Sequence, residues 1–208
     1  GEPGVGGKRV VVQGLGNVGA NAARFLAEAG ARVVAVAEHD GAIANENGLA
    51  IDDLLAHKAQ TGSIIGFAGS KPLTARHSAL EFECDILVPA ALENVITEEN
   101  ASLIAAKVVL ELANGPTTPE ADDMLFGRGV PVIPDVLANS GGVTVSYFEW
   151  AQNMAGEHWD EVRVFDKLKR HMTEASELIW EKHNVLKTDL RRAAFVVALE
   201  RLQAAMKV

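Results

Sequence analysis

Gly14, Gly16 and Gly19 stand in the spacing G-x-G-x-x-G, and Glu38 lies 22 residues beyond Gly16. Glycines so spaced, between an apolar run and a helix-forming segment, make a seat for the diphosphate of a dinucleotide. Gly14 permits a tight turn out of a strand, and Gly16 has no Cβ to keep a phosphate off the backbone. Gly19 lets a helix pack closely on that strand. The helix that begins near Asn17 and Val18 would turn free N–H groups and a partial positive charge toward the phosphates. Glu38 stands where an acid accepts hydrogen bonds from a ribose diol. A plain βαβ unit, with the same glycines serving only packing, is the alternative.

Three asparagines add to this. Asn94, Asn114 and Asn139 each follow a short apolar run and have small neighbours, among them Ala90 and Ala91. An asparagine amide carries a donor and an acceptor on a short arm and can match a carboxamide or a ribose hydroxyl without adding charge. Asparagine also favours turns and caps, so any one of the three also reads as a turn former. His39 beside Glu38 reads as a solvated turn residue. The other histidines show no metal-ligand spacing, so no metal site is expected. Cys84, the only cysteine, is flanked by Glu83 and Asp85, which disfavour a thiolate; it reads as a buried, inert thiol.

The elements that must position these residues alternate. Lys8–Gln13 and Arg32–Ala37 read as strands around a helix over Ala20–Ala29 that Gly30 stops. A helix over Asp52–Gln60, a strand at Asp85–Pro89, a helix from Thr97 to Ile104, a strand at Lys107–Leu112, a helix over Pro119–Phe126 and a strand at Val130–Pro134 follow. Thr61–Ser78 is turn-rich. After Asp135 the pattern becomes helical, about Gly142–Met154, Trp159–His183 and Thr188–Met206. The last of these places Leu190, Ala194, Val197, Ala198 and Leu202 on one face. Trp150, Trp159 and Trp180 read as core residues of this tail. The fold class is therefore α/β: a doubly wound parallel Rossmann sheet with a C-terminal helical extension, largely helical over 143–208. Residues 1–7, rich in glycine, read as a linker or an added segment, and 8–208 as the dinucleotide-binding domain.

Composition sets outer bounds. A chain of 208 residues, 48% hydrophobic and 23% charged, is an ordinary globular protein. A net charge of −9 without a basic cluster argues against nucleic acid as a partner. No run of 18 apolar residues is present, so no membrane span or membrane partner is expected. With no signal peptide visible and a lone cysteine, the expected location is cytoplasmic.

Three stretches resemble a known family. Gln13-Gly14-Leu15-Gly16-Asn17-Val18-Gly19, Glu111 through Asp122 (ELANGPTTPEAD) and Pro134 through Trp150 (PDVLANSGGVTVSYFEW) are similar to the cofactor domain of the Glu/Leu/Phe/Val dehydrogenases. The run Val143–Trp150 points to the glutamate branch. The resemblance implies reversible oxidative deamination of L-glutamate to 2-oxoglutarate and ammonia, with hydride passing to a nicotinamide. It further implies that Gly14, Gly16, Asn17, Val18 and Gly19 hold the pyrophosphate and that Glu38 binds the adenosine ribose. Ala90, Ala91 and Asn94 would line the adenosine side, and Asn114 and Asn139 would position the nicotinamide and its ribose. Val143 and Ser146 would touch the amino-acid substrate. The lysines and the aspartate that do the chemistry belong, in that family, to an N-terminal catalytic domain with no counterpart here, so no catalytic residue is assigned. The chain is expected to bind NAD(H) without turnover, as a monomer or weak oligomer, while the parent enzyme is a homohexamer. A 2′-phosphate needs a cationic partner. Glu38, His39 and Asp40 supply none, leaving Arg76 as a partner from elsewhere, and NAD is expected over NADP. A stand-alone NAD-binding module or an engineered Rossmann scaffold is the competing reading.

Overall fold

The computed structural model describes residues 4–74 and 79–206. Arg76 and His77 lie outside the described residues. The chain forms two compact units, Gly1–Val132 and Ile133–Val208.

The first unit is built on a sheet in the order β4-β3-β2-β1-β5-β6-β7. Its strands are β1 (Arg9–Gln13), β2 (Arg32–Glu38), β3 (Gly41–Ala44), β4 (Lys71–Pro72), β5 (Ile86–Pro89), β6 (Val108–Leu110) and β7 (Val132–Ile133). β1 lies between β2 and β5 and is parallel to both, and β5 is parallel to β6. The order therefore reverses at β1, which places the ligand crevice at the C-terminal end of that strand. The short outer strands differ from the purely parallel expectation: β3 runs antiparallel to β2, and β4 antiparallel to β3. Glu38 pairs with Gly41 across the two-residue turn His39-Asp40, so a hairpin replaces a crossover helix.

Alternation along β1 sorts its side chains between two cores. Val10 and Val12 join Ala23 of α1 (Asn17–Glu28) and Leu54 of α2 (Ile51–Thr61). Val11 joins Val109 and the Ala121 and Leu125 side chains of α3 (Pro119–Gly127). β2 contains an extra residue opposite Val10–Val11, and Val34 and Ala35 consequently both pack on the Val11 side. α1 ends where expected, with Gly30 at φ +87°. α3 starts with Pro119 at its first turn, and the Thr118 hydroxyl accepts from the Ala121 N–H.

The helix expected over Thr97–Ile104 does not form; a turn and a short 3₁₀ segment, Ala101–Leu103, take its place. The Asn100 side chain is the cause. Its carbonyl accepts from the Thr97 N–H at 2.9 Å and its amide donates to the Val95 carbonyl at 2.8 Å. Local side-chain bonds of this kind compete with a helical ladder. Cys84 is buried, as its sequence suggests, and burial followed by the Asp85 charge pushes its thiol up to about 12.

The second unit is helical: α4 (Asp135–Ala138), α5 (Ser140–Ala155), α6 (Glu161–Leu186) and α7 (Leu190–Ala205). Its core is small, with Leu137, Ile179, Leu190, Ala193, Ala194 and Val197 buried together. The expected face of α7 holds only as far as Val197. Leu202 is exposed, because the core ends before the last two turns of the helix. Trp150 and Trp180 are also more than half exposed rather than core; Phe148 is the buried aromatic of α5. No helix among the described residues is long and apolar enough to cross a membrane.

Candidate dinucleotide site

The three glycines of the turn separate into two kinds. A Cβ on Gly19 would lie 1.9 Å from the Gly14 carbonyl oxygen and 3.3 Å from Ala90 Cβ. One on Gly14, whose φ is +95°, would lie 2.6 Å from Ala91 Cβ. Both positions are closed by the fold itself, Gly19 by the Gly14 carbonyl and Gly14 by Ala91. Gly16 differs: its φ is −75°, and a Cβ there would meet nothing within 4 Å. The fold does not require glycine at 16. A ligand that must touch the backbone does.

The start of α1 fits such a ligand. Gly16 is its N-cap, no side chain caps it, and its first turn carries no acid. Its first intrahelical bond runs from the Ala20 N–H to the Gly16 carbonyl, at 2.9 Å. The N–H groups of Asn17, Val18 and Gly19 precede that bond, and Gly16, Asn17 and Val18 are exposed. An uncapped N-terminus presents orphan donors and the positive end of the helix dipole together.

Glu38 ends β2 beside this turn. Its Oε1 accepts from the Leu15 N–H and from Lys58 Nζ, the latter at 2.8 Å, and Lys58 Nζ also donates to the Leu15 carbonyl at 2.9 Å. The acid and the lysine thus fasten the glycine turn to β2 and α2. Burial pushes the Glu38 carboxyl up. The Lys58 and Leu15 hydrogen bonds, His39 and the Lys58 charge outweigh that burial and lower it to about 2. Its Oε2 meets the His39 ring nitrogen at 3.2 Å, and His39 itself is largely exposed, as a solvated turn residue should be. Lys58 is a cation at the acid that the sequence expectation did not include. It sits on α2, twenty residues on, and only the approach of α2 to the turn reveals it.

The loops after β5 and β6 are joined to each other. The Asn94 N–H donates to the Gly115 carbonyl at 2.9 Å, and the Val95 and Ile96 N–H groups donate to Pro116 at 2.8 and 2.9 Å. Asn94 is held at φ +52°, a conformation asparagine tolerates better than most residues. Asn94 and Asn114 are both exposed on this joined pair of loops. β5 and β6 lie on the side of β1 away from β2, so Asn94 stands on the opposite side of the glycine turn from Glu38.

The first unit therefore brings Gly14, Gly16, Asn17, Val18, Gly19, Glu38, Ala90, Ala91, Asn94 and Asn114 to the C-terminal ends of its central strands. Asn139, Val143 and Ser146 belong to the second unit. Asn139 joins α4 to α5. Val143 and Ser146 lie three residues apart on α5, hence on one face, and both are exposed.

The sequence pattern of the Glutamate/Leucine/Phenylalanine/Valine dehydrogenase family matches residues 2–208. The chain is 48% identical over 194 residues to the NADP-specific glutamate dehydrogenase A1 of Halobacterium salinarum, covering 93% of this chain and 46% of that protein. It is 44% identical over 201 residues to the NAD-specific glutamate dehydrogenase of Staphylococcus aureus, covering 97% and 48%. The hetero-hexameric glutamate dehydrogenase of Thermus thermophilus, crystallised in a Leu-bound form, superposes with a TM-score of 0.89 at 34% identity, over 97% of this chain and 47% of that one. The chain thus spans about half the length of the relatives it matches.

Proposed function

The chain belongs to the Glutamate/Leucine/Phenylalanine/Valine dehydrogenase family, and from that premise we propose that its first unit seats the nicotinamide dinucleotide of a glutamate dehydrogenase. The parent reaction is the reversible oxidative deamination of L-glutamate to 2-oxoglutarate and ammonia. The observation that carries this reading is the glycine at 16, in a conformation and a space where the fold needs none. A bound nicotinamide supplies the carbon that accepts or returns the hydride. The chain's own residues bind and orient. The N–H groups of Asn17, Val18 and Gly19 receive the diphosphate, and the second Glu38 oxygen accepts from the adenosine ribose. Asn114 serves the nicotinamide half; Asn94, which the family resemblance puts on the adenosine side, is assigned here to the nicotinamide half as well, because β5 and β6 lie on the side of β1 away from Glu38. Asn139 serves the nicotinamide as well, and Val143 and Ser146 face the amino acid, as the family resemblance implies.

NAD is the proposed cofactor. An ionised Glu38 repels a 2′-phosphate and suits a free diol. A second reading, use of NADP, is favoured by one observation: Lys58 Nζ lies 2.8 Å from Glu38 and is the cation such a phosphate would need. The relatives include one NADP-specific and one NAD-specific enzyme. The parent enzyme is a hexamer in this proposal, and residues 1–208 alone hold NAD(H) without turning over glutamate. Calorimetric titration of the chain with NADH and NADPH side by side tests the cofactor. Tighter NADH is expected, and Glu38→Gln should narrow the gap; tighter NADPH binding by the unaltered chain overturns the NAD assignment. NADH formation from glutamate by this chain alone overturns the claim that it does not turn over.

A further inference from the structure

Gln13 is the last residue of β1, immediately before the glycine turn, and it is 7% exposed. Its Oε1 is buried with no hydrogen-bond partner. The backbone around it is fully engaged: the Gln13 carbonyl accepts from the Ala90 N–H, and the next residue, Gly14, donates to the Ala37 carbonyl, both at 2.8 Å. A buried, unpaired acceptor is costly, and folded proteins keep few of them. Among the described residues three buried side-chain atoms stand unpaired: Gln13 Oε1, Thr117 Oγ1 and Arg9 Nε. Arg9 begins β1, at the end of the strand opposite the glycine turn, where its other guanidinium nitrogens pair with Glu46 and the Glu83 carbonyl. The other two, Gln13 and Thr117, lie at the ligand edge. Thr117 is in the loop joined to Ile96.

The direction of Gln13 follows from the strand. Val10 and Val12 pack with α1 and α2, and Val11 with α3, so alternation places Gln13 on the Val11 face. That face is not the one whose helix receives the diphosphate. β5 and β6 lie on the side of β1 away from Glu38, so a dinucleotide with its adenosine ribose at Glu38 and its diphosphate at α1 continues over these strand ends. Gln13 is then below the nicotinamide riboside half, whose ribose hydroxyls and carboxamide carry donors.

We infer that Gln13 is a positioning residue for the nicotinamide riboside half, its side-chain oxygen paired only when the cofactor is in place. The inference rests on the dinucleotide reading above. It distinguishes Gln13 from an ordinary buried amide: removing it should weaken cofactor binding without weakening the fold.

The test uses the chain of residues 1–208 with Gln13→Met, which keeps length and volume, and Gln13→Leu as a second variant. Each is titrated calorimetrically with NADH and with ADP, which lacks the nicotinamide half, and each is melted without ligand. The expected result is NADH affinity lower by about tenfold, the worth of one hydrogen bond and its lost partner. ADP affinity should be unchanged within about twofold and the melting temperature equal to or above that of the unaltered chain. NADH affinity that is unchanged, with or without a lower melting temperature, overturns the inference, since the amide is then held by an internal water or by packing. Equal losses for NADH and ADP overturn it too. If the unaltered chain binds neither ligand, the dinucleotide reading itself fails; if it binds both and the variants match it, only the role of Gln13 fails.

Discussion

The N-termini of α1 and α7 are built in opposite ways. α1, in the first unit, starts at Gly16 with no side-chain cap and no acid in its first turn. α7, in the second unit, starts at Asp189, which is buried and accepts from the Arg192 N–H at 2.7 Å while its other oxygen pairs with the Arg192 guanidinium at 2.8 Å. α6 is capped likewise, by Asp160 on the Arg163 N–H. At α6 and α7 the chain supplies an anion to the helix N-terminus; at α1, where a ligand's phosphates are expected, it leaves that charge unmatched. α2 and α5 also start without a side-chain cap, so the open start of α1 suits the proposed diphosphate only together with the glycine at 16.

Substitutions can break that comparison, and their effects differ in size. The largest belongs to Gly19. A methyl group there meets the Gly14 carbonyl at 1.9 Å, backbone on backbone, so Gly19→Ala should cost about 3 kcal/mol or more in urea denaturation. Next is the fastening of the turn by Glu38. Its carboxyl is lowered from 4.5 to about 2. A group held lower in the folded state gives stability that is full above its unfolded value and is lost as pH falls through the folded one. The chain should therefore lose about 2 kcal/mol, part of the interaction being screened by solvent, between about pH 4.5 and pH 2. Glu38→Gln should flatten that portion of the pH profile; an unchanged profile would mean that Glu38 does not hold the turn. A smaller effect belongs to the capped partner: Asp189→Ala should cost about 1 kcal/mol and leave NADH affinity untouched. If that variant binds NADH more weakly, the separation between packing helices and the ligand helix is lost.

The geometry of the glycine turn and the position of Glu38 are legible in the sequence because their parts are local. Strand, glycine turn and helix follow one another within residues 9–28, and Glu38 closes β2, so spacing alone carries their geometry. Lys58 was not legible, since it reaches Glu38 only after a hairpin and a loop bring α2 to the turn. The β3–β4 edge is not legible in the sequence because two- and four-residue strands show too little alternation. At Thr97–Ile104 the helical spacing was present, but Asn100 satisfied the local backbone more directly. In the second unit, Leu202, Trp150 and Trp180 carry hydrophobicity that reads as core, yet they are exposed. Sequence pattern marks an apolar face without stating whether this stretch of chain covers it.

The central claim is that Gly16 is a glycine for the sake of a dinucleotide and not for the fold. Gly16→Ala, followed by a thermal melt and an NADH titration of the same sample, tests it most directly. The account predicts a melting temperature within about 2 °C of the unaltered chain, because the new Cβ meets open space and φ −75° suits alanine. It also predicts NADH binding weaker by about tenfold or more, as the methyl group holds the diphosphate off the backbone. A variant that melts normally and binds NADH as tightly as before would contradict it.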